Sequence, residues 1–459
     1  MSALIKIKSI AGILACSLVL STGCKKYLDQ KQNQSLTSLS GVQDLQSLLD
    51  NFYPVNTYDP SAGEISADNY YVHDADWSGL DDYTRNIYSW QKDNLFRPGN
   101  FNDWSLAYNN VYRANTVLDN IDKINRTPGD QDDWNNAKGS ALFLRGKTFL
   151  QVAWVWALAY DETTASTDLG IPLRLDPDFN KPSVRATVQQ TYDQVISDLK
   201  ASIPLLPLTP IHLVRPSKSA AYGWLARAYL SMRKYDSAWL YADQCLQLDN
   251  HLLDYNTVNP SAYPPIANFN PEVIFQSELA AWAVLFNPTA KMDSTLYASY
   301  DDNDLRKIIC FSDNHDGTFS FQGSYAGSDY IAYPFNGIAT DENYLTRAEC
   351  YARKGDVSSA MNDLNTLMIK RWVSGLFVPF TATDATDALN KILSERRKEL
   401  LFRGSRWVDI KRLNKEGANI VLKRIINGQL YTLPPNDPRY ALAIPADVIA
   451  NSKMQQNPR

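Results

Sequence analysis

Only five cysteines occur in this chain, none in a CxxC spacing, so a disulfide framework is not expected. Two of them, Cys245 and Cys350, fall in helical segments, where a small thiol packs as a core residue. Histidine is scarcer still: His73, His212, His251 and His315 lie in separate segments and suit surface or turn positions better than a metal shell. There is no HExxH, GxSxG, Walker loop or strand-linked GxGxxG, so the usual routes to hydrolysis, phosphoryl transfer and dinucleotide binding are unsignalled, and no cofactor is called for. The formal net charge is −5 and no basic stripe is large enough to track phosphates, which leaves a nucleic-acid role without support. No Gly/Ser linker or composition break divides the chain, which therefore reads as one large unit with long loops.

A membrane-spanning run is missing at the N-terminus too, and what stands there instead is informative. Lys6 and Lys8 precede an uncharged, mostly apolar stretch from Ile10 to Leu20, 11 residues long. That is too short to cross hydrocarbon and suits the core of a signal peptide. Ser21-Thr22-Gly23-Cys24 follows, then Lys25-Lys26. A cysteine after small residues at such a site is similar to a bacterial lipobox, with cleavage before Cys24 and acylation of its thiol and new amino group. The large aliphatic usual three places before the cysteine is Ser21 here, with Leu20 one place earlier. A plain secretory signal cleaved near Gly23, leaving Cys24 an ordinary thiol, is the alternative. The expected organisation is a signal peptide over 1–23, a lipid-anchored tether over 24–39 and a single body over 40–459. Loss of Lys6 and Lys8 takes the formal charge from −5 to −7.

Within the body, an internal repeat is the clearest signal. Tyr222, Ala226, Tyr229, Ala238, Ala242 and Cys245 share their offsets with Tyr344, Ala348, Tyr351, Ala360, Leu364 and Leu367. This is tetratricopeptide spacing, in which small residues at the second and fourth positions let two helices of a hairpin approach closely. Further amphipathic helices are expected from Ser40 as cap through Phe52, over Trp104–Ile124, Trp134–Tyr160, Thr187–Ile203 and about Thr386–Phe402. One hairpin cannot bury its apolar face alone, so the pairs should stack. The fold class expected is mainly α: a tetratricopeptide-like helical-hairpin superhelix with long irregular loop insertions and a minor β-hairpin. The insertions are residues 54–103 and 254–340, rich in Tyr, Trp, Asp, Asn, Gly and Pro, and the hairpin pairs Lys307–Ser312 with Thr318–Gln322.

Two acidic groupings invite chemistry. Glu395 and Glu399 share one helical face, as a glycosidase pair would need, but Arg396, Arg397, Lys398, Arg403 and Arg406 surround them in sequence. Adjacent guanidinium groups hold carboxylates ionised, the wrong state for a general acid, so structural ion pairing is expected. Asp301-Asp302-Asn303-Asp304 and Asp313-Asn314-His315-Asp316-Gly317 offer oxygens without the spacing of a calcium loop, and turns or helix caps fit them better.

The stretch Glu-Arg-Arg-Lys-Glu-Leu-Leu-Phe-Arg-Gly-Ser-Arg-Trp-Val-Asp-Ile-Lys-Arg, residues 395–412, resembles the signature of the SusD/RagB family of Bacteroidetes outer-membrane lipoproteins. Many members carry an acidic residue where Arg403 stands, so an ion pair is expected to differ there. Asp304-Leu305-Arg306 is similar to the family's short D-x-R element, and Tyr344-Leu345 with Arg347-Ala348-Glu349 to its third repeat. The resemblance implies a non-enzymatic lipoprotein, surface-exposed and lipid-anchored in the outer membrane, that captures glycan with its variable loops. It also implies a SusC-like TonB-dependent barrel as partner, beneath the helical scaffold.

A sugar ring presents a C–H face and a hydroxyl edge, which aromatic platforms and Asp, Asn or Arg can take respectively. Aromatic residues are 12 % of the chain, and its 26 Tyr and 11 Trp outnumber 16 Phe, which favours apolar faces working beside water. The early loop, Asp68-Asn69-Tyr70-Tyr71-Val72-His73-Asp74-Ala75-Asp76-Trp77, offers both kinds of group within ten residues. The candidate ligand contacts are Asp68, Tyr70 and Trp77, with Trp282 and Tyr300 from the second loop and Phe286 and Tyr330 as further partners there. Two other readings compete: a surface glycoside hydrolase, and a tetratricopeptide scaffold whose groove binds a protein segment.

Overall fold

The computed structural model describes residue 39 and residues 41–99, 101–327 and 333–459. Cys24 and the rest of the expected signal peptide and tether before Leu39 lie outside the described residues, as do Ser40 and Tyr330.

Among the described residues, ten helices of eight or more residues dominate: α1 (Val42–Leu49), α2 (Asp103–Ile121), α3 (Gln131–Trp156), α4 (Val188–Ser202), α5 (Lys218–Ser231), α6 (Tyr235–Leu248), α7 (Thr340–Arg353), α8 (Val357–Met368), α9 (Ala385–Glu399) and α10 (Arg406–Asn414). Their starts follow local chemistry. Asn102 accepts a hydrogen bond from the Ser105 amide at 2.9 Å, and Asp384 accepts from Thr386 and Asp387. At α4 a reciprocal pair forms: Thr187 Oγ1 accepts from the Gln190 amide at 3.1 Å, and Gln190 Oε1 from the Thr187 amide at 2.9 Å.

The helices pack serially: α2 on α3, α3 on α4, then α5, α6 and α7, with α8 and α9 closing on α7. The repeat read from sequence is the hairpin pair α5/α6 and α7/α8. Ala226, Ala238, Ala242 and Cys245 are buried, as are Ala348, Ala360, Leu364 and Leu367, while all four repeat tyrosines are half-buried. The two hairpin turns also match, since Arg233 (φ 61°) and Gly355 (φ 85°) occupy the same repeat offset and both adopt the left-handed conformation. The mainly helical hairpin array expected from sequence is therefore the architecture.

The long insertions are more ordered than their composition suggested. The first holds Phe52–Asn56, Ala62–Ser66, Asp74–Gly79 and Asp82–Tyr88 as short helices. Such lengths are not stable alone, and long-range groups hold them. The Asp103 carboxylate caps Ala62–Ser66 from elsewhere in the chain, accepting from the amides of Ser61 (2.7 Å) and Ala62 (2.8 Å). The two insertions also join each other: Tyr70–Tyr71 pairs antiparallel with Lys291–Met292, and Asp59 bridges Leu279.

Two-stranded pieces are small and separate. The expected hairpin is shorter, Phe311–Asp313 with Phe319–Phe321, because Arg306–Ile309 forms a helical turn instead. A second hairpin, unforeseen, pairs Leu422–Ile426 with Gln429–Leu433 around Asn427-Gly428. Both turn residues have positive φ (49° and 75°), the two-residue turn that matches strand twist. No helix among the described residues is long and apolar enough to cross a membrane. Cys245, Cys310 and Cys350 are buried and unpaired.

Candidate functional site

Residues 395–412 cover the last turn of α9, a tight link and most of α10, with Phe402 (φ 56°) and Gly404 (φ 66°) folding the link. Their charged side chains build an ion-pair core. Glu399 accepts from Arg371 Nε at 2.7 Å and from Arg306 Nη1 at 2.8 Å, and Glu395 from Arg306 Nη2 at 2.5 Å and Lys398 Nζ at 2.9 Å. Arg412 clasps Glu349 at 2.5 and 2.7 Å, Arg396 reaches Asp409 at 2.9 Å, and Arg403 meets Asp341 at 2.8 Å. Ion pairing was expected of Glu395 and Glu399, but their main partners come from outside the block. Arg306, with Asp304 beside it at 2.6 Å, and Arg371 have no sequence proximity to them.

Burial alone would push the Glu399 carboxyl up; the guanidinium groups of Arg371 and Arg306 override it and hold the pKa at about 2. A carboxylate so held has no proton to give near neutrality, which removes the Glu395/Glu399 pair as a glycosidase acid and base. Carboxylate oxygens of Glu272, Asp341 and Glu399 lie within 4.8 Å of one another. Arg371, Arg403 and Arg306 already supply their countercharge, so the cluster belongs to the same core.

A chain of aromatic rings runs out of this core into both insertions. Tyr70 packs on Phe402 (centroids 5.7 Å apart), Phe402 on Phe321 (5.1 Å), and Phe311 joins Phe321 (6.4 Å) to Tyr300 (5.2 Å). Two proposed ligand contacts are thereby interior rings. Tyr70 is 3 % and Tyr300 2 % exposed, and their hydroxyls donate to the Ile65 carbonyl (2.9 Å) and the Lys398 carbonyl (2.7 Å). Neither ring faces solvent, because the insertions are tied to the signature block rather than swung free of it.

Asp68 is likewise engaged: Arg406 binds both carboxylate oxygens, at 2.6 and 2.9 Å, and Arg397 approaches at 3.4 Å. Burial opposes the charge, but the Arg406 contact holds the Asp68 pKa at about 2. Trp77 is half-buried in the Asp74–Gly79 helix, with the Arg85 guanidinium 5.2 Å above its ring. One face is thus already taken by a cation. Phe286 is half-buried in the second insertion.

Trp282 stands in a different neighbourhood. Its indole N–H donates to Asp103 Oδ1 at 3.0 Å, the same carboxylate that caps Ala62–Ser66. Phe101, two residues before Asp103, is 65 % exposed and meets Tyr58 edge-on at 5.9 Å; Tyr58 in turn meets Tyr333 at 6.1 Å. Tyr58 and Tyr333 flank the strand-like meeting of the insertions, where Leu279 donates to the Pro334 carbonyl and Ala280 to Asp59. These three rings in series make a ledge fed by both insertions, and half-buried Trp282 is bonded to the helix start that follows Phe101. Of the sequence candidates, only Trp282 is tied to this neighbourhood, through its bond to Asp103. Tyr58, Phe101 and Tyr333 were missed: each lies in the right insertion, but nothing local marks these rings as neighbours.

Comparison with known proteins agrees with the architecture. A family model described as SusD-like, "Starch-binding associating with outer membrane", matches residues 26–230, and the SusD family model matches residues 323–459. No curated protein matches the chain. Among solved structures, a SusD superfamily protein from Bacteroides thetaiotaomicron aligns with a TM-score of 0.75 at 22 % identity, covering 91 % of this chain and 100 % of that one. A SusD-like carbohydrate binding protein from Bacteroides vulgatus gives 0.65 at 22 %, covering 90 % and 96 %. Surface glycan-binding protein A from Bacteroides uniformis gives 0.68 at 16 %, covering 91 % and 99 %. Identities this low speak for a shared fold.

Proposed function

Because the chain belongs to the SusD family, we propose that it is a non-enzymatic glycan-binding lipoprotein of the cell surface that hands oligo- or polysaccharide to a SusC-like TonB-dependent barrel. The observation that carries this reading is the ledge of Tyr58, Phe101 and Tyr333, with Trp282 bonded to the adjoining helix start. Aromatic faces bind the C–H face of a sugar through dispersion and desolvation, and leave its hydroxyl edge to water or nearby polar groups. Phe101 supplies an exposed ring, and the capping bonds of Asp103 fix the backbone that carries it, so little ordering is lost on binding.

The absence of turnover is part of the same proposal. Its support is that the paired carboxylates Glu395 and Glu399 are locked by arginine and buried. Anchoring is proposed through Cys24, and the array of helical hairpins is the surface proposed to face the barrel.

Affinity electrophoresis in gels cast with starch, xylan, β-glucan or galactomannan tests the function. At least one should retard the protein, and Phe101→Ala should weaken that retardation about tenfold, as loss of one stacked ring of ~1.4 kcal/mol implies. Release of reducing ends by the purified protein would overturn the non-enzymatic reading. Retention of the protein in the membrane fraction after Cys24→Ser would overturn the anchor, and failure to co-purify a TonB-dependent barrel from solubilised membranes would overturn the partner.

A further inference from the structure

A pocket that none of the ledge rings lines lies between helix α2 and the segment joining the strands Leu169–Pro172 and Arg185–Thr187. Its volume is about 480 Å³, within the range of small-molecule sites. Trp104, Tyr108 and Val111 of α2 line it on one side, with Val448 and Met454 from the C-terminal stretch. Across it stands Phe179, 77 % exposed, stacked on Tyr112 with centroids 5.3 Å apart and planes at 28°.

An exposed phenylalanine is unremarkable on a slack loop, but this loop is built to hold its ring where it is. Arg174 spends its guanidinium on the loop itself, donating to the Lys181 carbonyl at 2.6 Å, to Ser183 Oγ at 3.1 Å and to the Asp178 carbonyl. Asn115 of α2 donates to the Arg174 carbonyl at 2.8 Å and the Asp176 carbonyl at 3.3 Å, and Tyr108 to the Pro172 carbonyl at 2.8 Å. Asn115 is itself gripped by Arg145 at 3.0 Å, whose other nitrogens are paired with Asp198. Pro172, Pro177 and Pro182 fix three further backbone angles. A ring held in water by this much structure is a preorganised apolar face.

The pocket's charge selects its ligand. Arg174 is consumed by carbonyls and Asp176 pairs with Lys181 at 2.9 Å, so neither a free cation nor a free anion faces the space. Asn109, also on the wall, is exposed, and its side-chain amide makes no hydrogen bond to the described residues. Stacked rings plus an unspent amide, without net charge, suit a neutral sugar ring: the face on Phe179 and Tyr112, a hydroxyl on Asn109.

We infer that this pocket is a second saccharide site, for a neutral hexose segment, distinct from the ledge and resting on the glycan-binding reading above. A polymer engaged at either of two sites is retained longer than one engaged at a single site.

The test runs the full folded chain, Phe179→Ala, Phe101→Ala and the double variant through the same four polysaccharide gels, with thermal unfolding as a control; both rings are exposed, so all should fold. The expected result is a three- to tenfold loss of retardation for each single variant and a larger loss for the double. Wild-type retardation by Phe179→Ala, with loss in Phe101→Ala, would overturn the second site and leave the function standing. Loss in Phe179→Ala alone would support the pocket and sink the ledge. No retardation of the unaltered protein in any gel would remove both. Unchanged retardation by Phe179→Ala combined with loss of a co-purifying membrane protein would overturn the saccharide assignment in favour of a protein partner.

Discussion

Trp282 and Asp103 meet through a single hydrogen bond, indole N–H to Oδ1 at 3.0 Å, although 179 positions separate them. The other carboxylate oxygen accepts from the Ser61 and Ala62 amides, so one side chain, on the first residue of α2, caps a short helix in the first insertion and anchors a tryptophan of the second. Every partner is a donor. In Asp103→Asn the amide nitrogen must therefore face a donor, leaving buried groups unsatisfied, at a cost of about 1–3 kcal/mol. Chemical denaturation should show that loss, and glycan retention should fall with it in native protein. An Asn variant as stable as the parent would contradict this double role.

Gly355 turns the second repeat hairpin at φ 85°, with nothing within 4 Å of where a Cβ would stand. Gly355→Ala therefore tests backbone strain alone, and about 1 kcal/mol of destabilisation is expected from the left-handed penalty. The equivalent Arg233 already bears that penalty at φ 61° while its guanidinium donates to the Tyr160 carbonyl at 2.7 Å. Arg233→Gly should come out near neutral in thermal unfolding, relief of strain offsetting the lost contact.

Acid should undo the signature core. The pKa values of Asp68, Glu399 and Asp409 are each about 2: burial raises them, and Arg406, Arg371 with Arg306, and Arg396 with Arg412 respectively bring them down. Folded values below the unfolded ones mean that the stabilisation is complete above about pH 4.5 and disappears as pH falls towards 2. Glu399→Gln strands Arg306 and Arg371 without their shared carboxylate, and a loss of about 3–5 kcal/mol is expected at pH 7. Urea titrations at pH 7 and pH 3 check both: the variant's deficit should shrink at the lower pH.

The repeat was legible because close helix packing demands small residues at fixed intervals, and Ala226, Ala238, Ala348 and Ala360 announce it. The partners of Glu399 were not, since nothing near it in sequence points to Arg371 or Arg306. The hairpin at Asn427-Gly428 carried a legible turn signal that had no strong alternating pattern beside it, the pair Ile425 and Leu430 being apolar yet exposed. Loop composition pointed to Tyr70 and Tyr300 as readily as to Trp282, because an aromatic residue looks the same whether it floors a core or faces solvent. Phe402, more than 300 positions from Tyr70, is what places that ring inside.

Glu64 is the counterweight to the acid-sensitive carboxylates. It is buried at the signature link, where Oε2 accepts from the Gly404 amide at 2.9 Å. Burial dominates, the neighbouring Asp68 charge adds to it, and the Gly404 bond and Arg406 only partly oppose them, so the pKa rises to about 7. The folded value therefore lies above the unfolded one of 4.5. For such a group the protonated fold is favoured: its contribution is full below about pH 4.5 and is lost as pH climbs through 7. At pH 8 the carboxylate must be carried charged inside the protein, at a cost of roughly 3 kcal/mol. Glu64→Gln keeps an acceptor for Gly404 and never ionises. It should match the parent at pH 4.5 and exceed it by about 2–3 kcal/mol at pH 8, read as a difference of urea midpoints at constant slope. A difference that stays flat between those two pH values would mean that Glu64 is ionised in the fold throughout, with Asn69 and Arg406 outweighing its burial.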